Sequence, residues 1–148
     1  MRIVLAVDGS QFSDAAVQAV IAQAQPKDTE IRVLHVVEPP TLLVTREMGG
    51  YDSAIDQAWE AEKKQAKGLV DKTVELLRAK GLKATGTVEN GDAKSRILET
   101  AKDWRADLIV LGSHGRKGLE HFLMGSVSEA VARHAGCSVE IVRIRSKR

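Results

Sequence analysis

Apolar residues fall along this chain in two alternating rhythms: short unbroken aliphatic runs, and stripes stepped every three or four positions. Leu108-Ile109-Val110-Leu111, held between Asp107 and Gly112, is such a run and predicts a strand buried on both faces. Ile3 to Val7 has the same solid character, and Ile31 to Val37 is mostly aliphatic with Arg32 and His35 inside it. Between those two, Ala16, Val17, Val20 and Ile21 share one helical face, with Ser10 and Ser13 as caps and Pro26 and Asp28 beyond the end. A longer stripe predicts a long helix: Ile55, Ala58, Trp59, Glu62, Ala66, Leu69, Val70, Thr73, Leu76 and Leu77. Arg78 and Lys80 suit its negative end, Gly81 stops it, and Trp59 falls on its core face.

Leu82, Ala84, Gly86 and Val88 alternate with polar residues, which predicts a strand at a sheet edge. Asn90-Gly91-Asp92 predicts a turn, with Asp92 capping a helix that carries Ile97, Leu98 and Ala101 and leads through Trp104 into the 108–111 strand. Ser138 to Ile144 again mixes polar with apolar residues and predicts a second edge strand. Pro39-Pro40 forces an extended exit into Thr41 to Gly50, a candidate lid with Met48-Gly49-Gly50 at its tip. Strand-helix alternation of this kind predicts an α/β fold, an open parallel sheet with right-handed crossovers and helices on both faces. A chain of 148 residues is expected to form one domain, 1–148. At that size it buries roughly 68–70% of its unfolded surface without needing a metal or disulfide.

The chemistry concentrates where the 108–111 run stops. Gly112-Ser113-His114-Gly115 is followed after nine residues by Gly125-Ser126-Val127-Ser128. Glycine at a strand's carboxyl end permits a sharp turn and close approach of a ligand to the backbone. Ser126 and Glu129 have capping-box spacing ahead of Val127, Ala130, Val131 and His134, so the second segment predicts the first turn of a short helix. Unpaired amides and the positive dipole end of such a turn attract an anion. Ser126 and Ser128 add hydroxyl donors, and Arg116, Lys117 and His121 lie between the glycine turns as candidate countercharges.

Charge and composition remove several alternatives. Twenty-two basic against 20 acidic residues leave a formal charge of +2, and aromatics make up 3% of the chain. Neither a broad basic field nor the stacking platforms of single-strand binders is available, so nucleic acid is not an expected partner. The terminal Arg143-Ile144-Arg145-Ser146-Lys147-Arg148 is expected to be solvated. The apolar run after Arg2 meets Asp8 too soon for a signal peptide, and no later run approaches the roughly 20 apolar residues of a membrane span. A cytoplasmic location with no membrane partner is therefore expected. Cys137 is the single cysteine; no intrachain disulfide is possible, and core filling is its expected role.

The two-residue, then nine-residue spacing ending in Gly-Ser resembles the nucleotide-binding signature of the universal stress protein family, in its ATP-binding branch. Ile3-Val4-Leu5-Ala6-Val7-Asp8-Gly9-Ser10 is similar to that family's first strand and its acidic end, and Ile31 to Val37 to its second. Ala106 to Gly112 and Gly125-Ser126-Val127 are similar to its fourth strand and ligand helix. Cys137-Ser138-Val139-Glu140 stands where the family usually has Cys-Pro-Val and another aliphatic residue.

The resemblance implies an open five-stranded sheet of order 3-2-1-4-5, the adenine nucleotide α-hydrolase-like fold. It also implies an ATP ligand, with or without Mg2+, and a homodimer paired through the last strand, Ser138–Ile144. By the same resemblance Ala6, Asp8 and Val36 border adenine and ribose, and Gly112 approaches the ribose. Gly115, Arg116, Gly125, Ser126, Val127 and Ser128 then surround the phosphates. Together these imply an ATP-binding regulatory protein of stress response. Two other classes stand beside it: a slow ATP hydrolase or nucleotidyl transferase, and a dimerisation module without ligand. Catalysis is not evident, since the chain has no GxxxxGK[ST] loop, no carboxylate pair for metals and no positional Ser-His-Asp set.

Overall fold

The computed structural model describes residues 1–39, 53–116 and 124–145. The candidate lid at 41–50 and the cations Lys117 and His121 lie outside them. The elements run β1 (Arg2–Ala6), α1 (Gln11–Gln23), β2 (Glu30–Val37), α2 (Ser53–Ala79), β3 (Lys83–Asn90), α3 (Ala93–Asp103), β4 (Leu108–Gly112), α4 (Ser126–His134) and β5 (Ser138–Val142). They form one parallel five-stranded sheet in the order β3-β2-β1-β4-β5.

Each solid aliphatic run is a central strand because both of its faces are covered. Ile3, Leu5, Ile31, Val33 and Val110 point to the face holding Ala16, Val17 and Val20 of α1 and Val70, Val74 and Leu77 of α2. Val4, Leu34, Ile109 and Leu111 point to the opposite face, against Ile97 and Ala101 of α3 and Val131 of α4. β3 and β5 are the edges. β3 is covered by α2 on one face, and β5 is only half-buried, with Val142 turned to the α1 side and Val139 and Ile141 to the α4 side, so both tolerate the polar residues that the central strands lack.

Local chemistry fixes the helix ends. Ser10 caps α1 by accepting from the Ser13 amide at 3.2 Å. Asp92 caps α3 through the Ser95 amide and hydroxyl, and the Ser95 hydroxyl is the main reason its carboxyl sits below the usual range. Gly81, with φ +82°, ends α2 while Leu82 N–H reaches back to Leu77 O at 3.1 Å.

The stripe expected on α2 is partly wrong. Ala66, Val70, Thr73, Val74 and Leu77 are buried, whereas Leu76 is 40% exposed and Trp59 is half-buried with Lys63 Nζ 5.4 Å from its ring centroid. The helix has 27 residues, about 40 Å at 1.5 Å per residue, against about 26 Å for the eight-residue β3. Only its second half packs on the sheet, so its first turns follow the helical period without being covered. The final strand also stops at Val142, two residues short of the expected Ile144.

α1 lies so close to β4 that a side chain at Gly112 has no room: a Cβ there would sit 2.6 Å from the Phe12 carbonyl carbon. Gly112→Ala is therefore expected to lower the unfolding free energy by more than about 2 kcal/mol. Gly81→Ala, strained in φ but open in space, is expected to cost about 1 kcal/mol; comparison of denaturant midpoints checks the order. Cys137 is half-buried at the margin of the α3/α4 core and not inside it as expected, and partial burial, helped by the charge of Asp107, pushes its thiol up. Its alkylation by iodoacetamide at pH 8 should be slower than that of a free thiol and should rise more steeply above pH 9. A raised folded-state value also means that any stability from the neutral thiol is present at low pH and is lost as pH rises through that value.

Candidate functional site

The chain leaves β1 towards β2 on one side and returns to β4 on the other, so the β1/β4 carboxyl ends form the sheet's switch point. A cleft of about 720 Å³ opens there. The residues that the resemblance places at a nucleotide line it: Ala6, Asp8, Val36, Gly112, Gly115, Arg116, Gly125, Ser126, Val127 and Ser128. One end of the lining is apolar, with Ala6, Leu34, Val36, Ile97 and Leu111, and the other carries the glycine turns and the start of α4.

The start of α4 differs from the expected capping box. Gly125, not Ser126, is the N-cap, with φ −77° and ψ 163° and no side-chain cap. The cause is tertiary: Gly125 N–H donates to Ser113 O at 2.7 Å, and Ser128 Oγ donates to the same carbonyl at 2.8 Å. A Cβ on Gly125 would lie 3.2 Å from His114 Cα, so the two glycine turns are packed backbone to backbone. Ser126 becomes the first helical residue. The Ser126, Val127 and Ser128 amides have no acceptor among the described residues. They stand at the positive end of the helix, beside the cleft.

The opposite wall is held by Asp8. Its Oδ1 accepts from Ser10 N–H at 2.9 Å, its Oδ2 accepts from Arg116 N–H at 3.1 Å, and its carbonyl accepts from Arg116 Nε. Gly9 takes φ +81°, and a Cβ there would meet the Arg116 guanidinium at 3.2 Å. Arg116 therefore lies folded over the β1 end. His114 bonds Ser113 Oγ through Nδ1 at 2.9 Å and tilts against Phe12, ring centroids 5.0 Å apart.

Sequence reasoning missed several lining residues. His35 sits inside an aliphatic run, buried, with its Nδ1 on Val7 O. Glu38 and Met124 are exposed and half-buried respectively, and Glu62 reaches the cleft from α2. Only the polar interruption of an apolar run at His35 and of the helical stripe at Glu62 could have flagged them. Among the described residues no group of three or more His, Cys, Asp and Glu is placed to hold a metal ion, and no helix is long and apolar enough to cross a membrane.

A parallel sheet of this order, with two helices on each face and its cleft at the β1/β4 ends, is the adenine nucleotide α-hydrolase-like class of α/β fold. Comparison with known proteins refines the class. The chain belongs to the universal stress protein family, whose profile matches residues 1–143. It is 32% identical over 146 residues to universal stress protein YxiE of Bacillus subtilis, covering 96% of this chain and 98% of that one. Among solved structures, hypothetical protein MJ0577 superposes with a TM-score of 0.83 at 24% identity, over 99% of this chain and 97% of that chain. An Arabidopsis thaliana family member with AMP bound gives 0.66 at 19% identity, over 99% and 93%. A universal stress protein in complex with cAMP gives 0.65 at 22%, over 97% and 96%.

Proposed function

We propose that this protein binds ATP in the β1/β4 cleft and acts as a regulatory module whose state is set by occupancy. The observation that carries the reading is the run of three amides at Ser126, Val127 and Ser128 with no acceptor among the described residues, at the positive end of a helix lining the cleft. Such donors suit phosphate oxygens and need no resident metal. Hydrogen bonds to a charged group contribute roughly 1.5–3 kcal/mol each, and micromolar affinity requires about 8 kcal/mol. Several main-chain contacts together with an apolar seat for the base reach that scale.

In this reading Ala6 and Val36 border the base and ribose, and Gly112 lines the ribose by its main chain. Gly115, Arg116, Gly125, Ser126, Val127 and Ser128 take the phosphates. The cleft volume lies within the roughly 300–1,000 Å³ of small-ligand sites. Solved relatives that hold AMP and cAMP support an adenine nucleotide as the ligand class. A cytoplasmic setting fits such a ligand.

The homodimer belongs to the same proposal. β5 is bonded to β4 on one side only, and its Val139, Ile141 and Val142 are half-buried in the single chain. Glu140 interrupts this apolar strand, and its carboxylate is held by Gln23 of α1. A second β5, antiparallel to the first, would satisfy the edge. Sedimentation equilibrium should return twice the chain mass; a monomer at micromolar concentration would count against the pairing.

The amides themselves can be tested one at a time. Proline is accepted at the first helical position, and Gly125 already has the extended conformation that a following proline demands. Ser126→Pro should keep the fold and lose one donor, weakening ATP binding roughly 10- to 150-fold by calorimetry. Ser126→Ala controls for the hydroxyl. Full affinity in the proline variant would remove the Ser126 amide from the site.

A further inference from the structure

We infer that Asp8 is a positioning residue for the phosphate end of the cleft, clamping the Gly115–Arg116 turn to the end of β1, so that it governs affinity for phosphates rather than for the nucleoside. This rests on the nucleotide reading above but assigns Asp8 a role other than contact with the ribose.

The geometry carries it. Each polar group of Asp8 has a protein partner: its amide donates to Ser13 Oγ at 3.3 Å, Oδ1 takes Ser10 N–H, Oδ2 takes Arg116 N–H, and its carbonyl takes Arg116 Nε. One carboxylate thus joins the α1 cap to a turn 108 residues away in sequence. The turn is shaped to receive it, since a Cβ on Gly115 would stand 3.1 Å from Oδ2. The anchor is firm: Val7 N–H extends the sheet to Leu34 O at 2.9 Å, and the buried His35 donates from Nδ1 to Val7 O. On the far side of the turn, Ser113 O holds both Gly125 N–H and Ser128 Oγ. Asp8 therefore sets the register between the glycine turn and the α4 amides through a chain of bonded segments.

Electrostatics agree with this role. A carboxylate facing a polyphosphate directly would repel it. A carboxylate whose oxygens accept amides instead organises the backbone around it, because charge-assisted bonds of this kind are short and strong. Asp8 acts on a phosphate ligand only through the segment it restrains.

The test combines amide exchange on the ligand-free protein with calorimetric titration by adenosine, AMP and ATP, on wild type and Asp8→Asn. The variant is nearly isosteric but offers an NH2 group where one amide now finds an oxygen. Exchange at Arg116 should accelerate by about tenfold or more while β1 and β4 amides keep their protection. ATP affinity should fall about tenfold and adenosine affinity by less than about twofold. Equal losses for adenosine and ATP would assign Asp8 to the ribose and overturn the inference. An Arg116 amide that exchanges in wild type at the unprotected rate would overturn it too, without any variant having to fold. If the wild-type protein binds none of the three ligands, the nucleotide reading fails, and the exchange data alone decide the clamp.

Discussion

The closeness of α1 to β4 is the constraint on which the cleft depends. Phe12 main-chain atoms occupy the volume where any residue but glycine at 112 would place its Cβ. That contact brings the first turn of α1 beside the end of β4, which puts Asp8, bonded to Ser10 at the α1 cap, within reach of the turn that follows Gly112. It also fixes which role the glycine has. Gly112 is small because a helix presses on it, and its share of the cleft wall is main chain.

From that contact the site assembles by backbone bonds more than by side chains. Ser113 O gathers Gly125 N–H and Ser128 Oγ, and Ser113 N–H is taken by Val142 O at 2.9 Å, so β5, the glycine turn and α4 are tied at one residue. Ser113 is 2% exposed, as expected for a knot of this kind. Glu38 and Glu62 line the cleft but sit outside this framework. A family that keeps the framework can alter the rim without disturbing the fold.

Much of this was legible in the sequence, for identifiable reasons. Runs such as Leu108–Leu111 can be buried on two faces only in the middle of a parallel sheet, and the mixed β3 and β5 can only be edges. The strand order came from family resemblance, because alternation alone does not say on which side of β1 the chain returns. Helix α2 was misread along its length because a helical stripe carries no mark of where the sheet beneath it ends. Val74 and Leu76 lie on opposite flanks of one stripe, about 160° apart at 100° per residue, and the stripe alone does not say which flank the sheet covers. The cap of α4 was misread because Ser126 and Glu129 suit two registers equally, and the choice between them was made by a carbonyl 12 residues upstream. The chemistry of Asp8 was legible as an acid at a strand end, but its partner Arg116 was not, since nothing local links two residues so far apart.

The uncapped start of α4 has a thermodynamic consequence. The helix has nine residues, short enough that its own hydrogen bonds leave it marginal, and Gly125 contributes no side-chain acceptor to its first turn. Any anion seated on those amides completes the helix as it binds, so occupancy and local order become one linked equilibrium. Under the proposed function, filling the cleft would change how rigidly α4 is held, and with it the segment leading into β5, the strand at the open edge of the sheet. The proposed binding event would then reach that edge through helix order alone, with no hinge and no large rearrangement.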